Sequence, residues 1–394
     1  MMLLNISVCV LIFLVGFNLK KLFPDFTHSD NKTLNKLFFY HFFIAIAFHF
    51  YVDTFGGDAQ HYWFEAKVIP FSEILELMSS GNATGYMFLF NYVPSNLLEL
   101  SFFTGNMGYA LVGYVGFIYL YRLCKLIETK EYSLSQLKFM RVSIFPWILF
   151  LPNLHFWSSG IGKDVVLFTS IIVFVYSLQH VKRRWIGILI SMLLSFAVRP
   201  HITLFLIVAF GCAYLLDGKL KTYQKLLIVG VFIAGFIGLI DYVVQFVQLE
   251  SLEVGVIEEF SSNKAKNLAL ATTGSAVDTS GYPFVFKIFT FLYRPLFFDI
   301  NGVLAIVGSF ENLFLLIFTG LVITNKPITG FKRGSTLIKG MLFFFLLGAI
   351  SFSMILGNLG IMLRQKNMFI PLFLIFGLWV LYLNARSKFK TLKS

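Results

Sequence analysis

The sequence predicts an all-α, polytopic integral membrane protein of about eleven transmembrane helices, and three observations predict it. Of the 394 residues, 57% are hydrophobic and 13% charged, with a mean hydropathy of +0.78; an average soluble domain carries about 25% charged residues. The apolar residues fall in blocks of roughly 17 to 23, the length a helix needs to cross about 30 Å of hydrocarbon, separated by short polar segments. The basic residues sort to alternate sides of those blocks, as the positive-inside rule requires.

The predicted spans are 2–18, 37–52, 105–123, 142–157, 165–180, 185–198, 202–216, 225–243, 302–323, 340–358 and 367–385. They make residues 1–394 one polytopic membrane domain with no separate soluble part. The first block, MMLLNISVCVLIFLVGFN, lacks a basic leader and a small-residue cleavage site, so it reads as a retained helix. Eleven crossings place the termini on opposite sides. With the tail RSKFKTLKS inside, 23 of the 32 basic residues fall on the inner side. The nine on the outer side are Lys67, Lys163, Arg199, Lys264, Lys266, Lys287, Arg294, Arg364 and Lys366.

Topology therefore accounts for the net charge of +12, and no nucleic-acid partner is implied. Cys9, Cys124 and Cys212 have no disulfide or metal spacing and read as small packing residues. Two outer loops are long, about 53–104 and 244–301, while every inner loop is short, which places the working surface outside. Both loops carry apolar stretches too short to span, such as YMFLFNYVPSNLLELSFF and YPFVFKIFTFLYRPLFF, expected to be interfacial or re-entrant helices.

Cations held near a membrane away from the inner side are costly and tend to be functional or paired. Lys163 lies with Asp164 in FWSSGIGKD, which is not a phosphate-binding P-loop, because Trp157 stands where glycine is needed and Asp164 replaces the Ser/Thr. Lys163 is either a substrate-facing cation or half of a local Lys–Asp pair. Arg199 and His201, in VRPH, sit in a short hairpin, and the guanidinium fork suits phosphate oxygens. Arg364 and Lys366, in GNLGIMLRQKNMF, stand beside Gly357 and Gly360 and suggest an anion site. Arg294, in LYRPLFFD, is balanced between interfacial anchoring and function. Four such positions, distant in sequence and facing one way, suit a di-anionic group such as a pyrophosphate.

In DTFGGDAQHYWFEAK, residues Asp58, His61, Tyr62 and Glu65 recur at helical spacing, so a helix starting near Asp58 would show all four on one side. Asp58 is then either a helix cap or a group that orients or deprotonates a sugar hydroxyl, with His61 as alternate. His28, His41, His49, His155 and His180 are scattered without ligand spacing, so no metal site and no cofactor is expected.

With GGDAQHYWFEAK, FWSSGIGKD, RPH and RQK on this architecture, the chain resembles bacterial O-antigen polymerases of the Wzy type. The Asp–x–x–x–Tyr element from Asp58 to Tyr62 is also similar to that of C-type membrane glycosyltransferases. The resemblance implies a bacterial inner-membrane enzyme of lipopolysaccharide biosynthesis with its active site facing the periplasm. The implied reaction transfers a glycosyl group from an undecaprenyl-pyrophosphate-linked oligosaccharide to a second lipid-linked repeat unit. Lys163, Arg199, His201, Arg294, Arg364 and Lys366 would hold the pyrophosphate, and Asp58 or His61 would act on the acceptor hydroxyl. A chain-length regulator and a flippase of the same pathway are the implied protein partners. The second long loop departs from the family's arginine-rich pattern, having Arg294 as its one arginine. A polyprenyl-phosphate-sugar transferase, a lipid-linked oligosaccharide flippase and an O-acetyltransferase remain as alternatives.

Overall fold

The computed structural model describes residues 1–129, 131–216, 274–279 and 281–391, with scattered positions between 221 and 237. Most of the predicted span 225–243 and of the predicted loop 244–301 lies outside the described residues. The described residues are all-α apart from one short hairpin and two isolated β-bridges. Among the described residues, seven helical stretches are long and apolar enough to cross a membrane, and two apolar helices, Pro200–Leu215 and Phe284–Tyr293, are shorter. The chain forms two compact units, Met1–Arg122 with Leu149–Arg199, and Leu123–Ile148 with Pro200–Ser394.

The first unit begins with α1 (Met2–Asn18) and α2 (His28–Phe55). The second helix starts well before its apolar block because Thr27 and Asp30 form a capping box, satisfying two backbone donors at once. Phe13 and Phe17 of α1 meet Phe38 of α2 edge-on, while most of the remaining α1 surface is exposed. Three short helices follow, α3 (Asp58–Val68), α4 (Phe71–Ser79) and α5 (Ala83–Tyr92), and then α6 (Phe102–Lys125). The 53–104 stretch is thus a packed helical cluster, as its short apolar segments suggested.

The predicted helical span 142–157 is not formed. In its place stand a two-residue hairpin, β1 (Lys138–Phe139) with β2 (Val142–Ser143), a single tight turn at Trp147–Leu149, and the short α7 (Pro152–Trp157). Pro146 and Pro152 are the reason: each lacks an N–H and biases its predecessor away from helix, so no continuous helix can run through both. Residues 149–162 still travel along α2 and α6. His155 lies against His41 and Phe117, Gly160 against Phe48, and the Ile161 N–H reaches Asn106 Oδ1 at 3.1 Å.

The two buried histidines of this broken segment face polar partners. His41 and His155, both fully buried, share a hydrogen bond between their Nδ1 atoms at 2.9 Å. Their Nε2 atoms face the carbonyls of Ala110 (3.0 Å) and Leu149 (2.8 Å). A non-helical segment at membrane depth needs such internal partners, since lipid supplies none.

Next come α8 (Lys163–Ser177) and α9 (Val181–Val198). One tight turn at Leu178–His180 folds this apolar stretch into a hairpin, seating Gly187 on the Ser177 side chain. The second unit contains α10 (Pro200–Leu215), α11 (Phe284–Tyr293), α12 (Val303–Thr324), α13 (Pro327–Arg333), α14 (Thr336–Ile355), α15 (Leu359–Gln365) and α16 (Ile370–Thr391). There α14 packs on α10, α11 and α16, with Gly340 against Phe210 and Gly348 against Phe369, so close helix approach replaces side-chain bulk.

Candidate functional site

The two ends of the first unit differ in charge. At one end Arg122 contacts Asp25 at 2.6 Å and lies over Phe23 and Tyr176, while Arg184 bonds the Tyr176 carbonyl. Lys20, Lys21, Lys182 and Arg183 belong to the same turns. At the other end stand Asp58, His61, Lys163, Asp164 and Arg199.

Backbone geometry places Asp58. Gly56 ends α2 with φ +75° and Gly57 follows with φ +142°, conformations open to glycine, and the chain turns sharply into α3. Asp58 is the first helical residue and Gly57 the cap, so Asp58 favours the helix through its charge at the N-terminus rather than through a side-chain cap. Asp58, His61 and Glu65 are exposed, but Tyr62 is buried, which corrects the expectation that all four share one open face. His61 meets Phe88 of α5 edge-on at 5.4 Å.

Lys163 opens α8, and its Nζ lies 5.7 Å from the centre of the Tyr62 ring, linking the two sequence motifs. The preceding turn is fixed by tight packing: the Ser158 carbonyl presses on Gly113, and the Phe48 ring on Gly160. Asp164 is engaged by Arg199, with Nη2 to Oδ1 at 3.2 Å. Both side chains are largely buried, at 12% and 7% exposure for Arg199 and Asp164. Of the eight predicted site residues, Asp58, His61, Lys163 and Arg199 therefore belong to the first unit.

The other four, His201, Arg294, Arg364 and Lys366, belong to the second. His201 opens α10 and packs on Phe205 and Phe352. Arg294 forms a local clasp, its Nε donating to Asp299 Oδ2 at 3.0 Å and its Nη2 to Oδ1, while Asp299 also accepts the Leu296 N–H at 2.9 Å. Burial by itself would raise the Asp299 carboxyl, but these hydrogen bonds and the guanidinium charge overcome it and hold the group below the usual carboxylate range.

Arg364 is half-buried in α15. That helix is capped by Asn358, whose Oδ1 accepts the N–H groups of Gly360 and Ile361. The backbone beside Gly357 pairs with residues 275–277, Val277 N–H donating to the Gly357 carbonyl at 2.9 Å. Lys366 is fully buried, its ammonium donating to the Leu292 carbonyl at 3.1 Å and to Asn312 Oδ1, with the buried Glu311 beside it. Sequence reasoning missed Glu311 and Asn312, which lie inside an apolar block. An acidic residue within a span calls for a cation, and that signal could have paired Glu311 with Lys366.

The chain matches no family model, no curated protein and no solved structure.

Proposed function

We propose that this protein is a membrane glycosyltransferase of the polysaccharide-polymerase type, joining undecaprenyl-pyrophosphate-linked repeat units at the outer face of a bacterial inner membrane. One observation carries the reading. At the end of the first unit opposite Arg122 and Arg184, an exposed carboxylate and imidazole, Asp58 and His61, share a helix with Tyr62, over which Lys163 lies. Arg199 stands in the same unit, oriented by Asp164.

Glycosyl transfer from a lipid pyrophosphate breaks the bond between the sugar's anomeric carbon and the pyrophosphate oxygen. The acceptor hydroxyl forms the new bond and gives up its proton, and the leaving pyrophosphate develops negative charge. Asp58, with His61 as alternate, is the base that takes the proton. Lys163 and Arg199 stabilise the leaving group, the guanidinium through paired hydrogen bonds. The cation-rich opposite end supports placing this site on the non-cytoplasmic face, within a topology of about eleven crossings and two long outer loops.

The test is the surface polysaccharide of a strain lacking the gene. A single repeat unit on the acceptor lipid, with the ladder restored by the wild-type chain, is expected for a polymerase. Loss of even the first unit would overturn this reading in favour of a sugar transferase using a polyprenyl-phosphate donor, or of a flippase.

A further inference from the structure

The first unit contains a cavity of about 490 Å³ bounded by α1, α5, α6, α8 and α9. That volume equals roughly sixteen water molecules at about 30 Å³ each. Water is a poor occupant here. The wall is hydrocarbon from residues such as Ile12, Phe90, Val112, Val173 and Leu194. Of the five hydroxyl side chains on it, Thr104 Oγ1 is engaged with Asn5 Oδ1 and Thr169 Oγ1 with the Val112 carbonyl, while the Tyr109 and Ser170 oxygens are buried beneath the surface. A buried water needs two to four polar partners, and little of this wall is polar.

The cavity also has a direction. Val166, Ser170 and Val173 line it from one face of α8, and Lys163 precedes Val166 by one turn on that face. Trp63 of α3, one residue after the Tyr62 ring beneath the Lys163 ammonium, closes the same end by resting on Gly105. Along α8 the face thus passes from a cation to mostly apolar side chains. Two of the bounding helices, α1 and α9, carry exposed apolar residues such as Leu3, Leu11, Ile186 and Leu193 on their surfaces, so both border the lipid phase when the unit lies in a bilayer.

We propose that this cavity binds the tail of a long-chain isoprenoid diphosphate, with Lys163 beside its head group. The apolar wall and the terminal cation carry the amphiphile, and the isoprenoid class rests on the function proposed above. The site holds the donor's tail so that its pyrophosphate lies beside Lys163 and the Asp58 helix. Gly108 is the point at which the cavity can be filled without harm, since a Cβ there would meet nothing within 4 Å.

The experiment uses the full chain in lipid nanodiscs and a polyprenyl diphosphate with a photoreactive group near the end of its tail. Labelling is expected on α6, α8 or α9 residues of the cavity. Unlabelled polyprenyl diphosphate should suppress it, and equal phosphatidylglycerol should not. Gly108→Leu should reduce labelling at least about tenfold at an unchanged unfolding temperature. Ile190→Trp, at a cavity position already half exposed, repeats the test from another helix. Lys163→Gln should lower capture of the diphosphate without changing capture of the uncharged polyprenol. Labelling elsewhere, or full labelling of both filled variants, would overturn the tail site. Equal protection by phosphatidylglycerol would make it an ordinary bilayer-lipid cleft and overturn the isoprenoid assignment. Specific labelling together with a normal polysaccharide ladder in the gene-deleted strain would leave the tail site standing and refute the polymerase reading instead.

Discussion

Two arginine–aspartate pairs in this chain are buried to almost the same depth. The side chains of Arg199 and Asp164 retain 12% and 7% exposure, and those of Arg294 and Asp299 retain 13% and 7%. Geometry separates them where burial does not. Arg294 presents two donors to both oxygens of Asp299 within one turn of chain, and the same carboxylate accepts the Leu296 N–H. Arg199 reaches instead from the end of α9 to the first turn of α8, beside a second cation, Lys163. The first arrangement closes a turn; the second joins two helices beside Lys163 and the Asp58 helix. Contact geometry and neighbours, more than depth, separate the two arginines.

Lys366 gives the comparison its hardest test, because the sequence placed it with Arg199 at the pyrophosphate and the structure seals it beside Asn312 and Glu311. Removing the buried cation leaves the Leu292 carbonyl and Asn312 Oδ1 without their donor and the nearby Glu311 uncompensated, which costs about 3–5 kcal/mol. Lys366→Met is therefore expected to lose stability of that order in detergent unfolding, and Glu311→Gln added to it should recover much of the loss, a coupling that a double-mutant cycle measures. A stable Lys366→Met protein that no longer polymerises would return this lysine to the substrate site.

The next effect concerns rate. A lysine at position 199 supplies a point charge without the planar fork, so Arg199→Lys should insert normally and lose at least about tenfold in polymerisation, roughly 1.4 kcal/mol of transition-state stabilisation. Arg294→Lys, in the local clasp, should change polymerisation per molecule by less than about threefold. Ladder length at matched protein levels reads both. A normal ladder from Arg199→Lys would erase the distinction between the two pairs.

Much of this arrangement was legible in the chain. Blocks of apolar residues gave α1, α2, α6, α8, α9, α12, α14 and α16, and the FGGD turn gave the helix beginning at Asp58. Composition misled at 142–157, where apolar character suggested a span while Pro146 and Pro152 forbade a continuous helix. The His41–His155 pair could not be seen in spacing, because its members come from separate segments. A histidine inside an otherwise uncharged apolar block nevertheless needs a buried partner, and two such blocks are a usable hint. The burial of Lys366 was hidden for a related reason: the short α15 and the tight turn after it carry this lysine under α11, away from Arg364's half-exposed position.

The smallest expected effect lies in the clasp itself and depends on pH. Asp299 is held below the ordinary carboxylate range in the folded protein, despite burial that would raise it, by its hydrogen bonds and by the Arg294 charge. An unperturbed aspartate titrates near 3.9. A carboxylate with a depressed folded-state pKa binds its proton more readily when unfolded, so its contribution is complete above about pH 5 and disappears as pH falls through the folded-state value. Asp299→Asn cannot titrate at this position. The stability difference between wild type and Asp299→Asn should therefore be constant from pH 7 to about 5 and shrink below about 4. Its size is on the order of 1 kcal/mol. Unfolding midpoints of both proteins at matched pH values measure it. A difference that persists unchanged into acid would show that Asp299 acts through hydrogen bonding alone, and the clasp would no longer be the charge-balanced counterpart of Arg199 and Asp164.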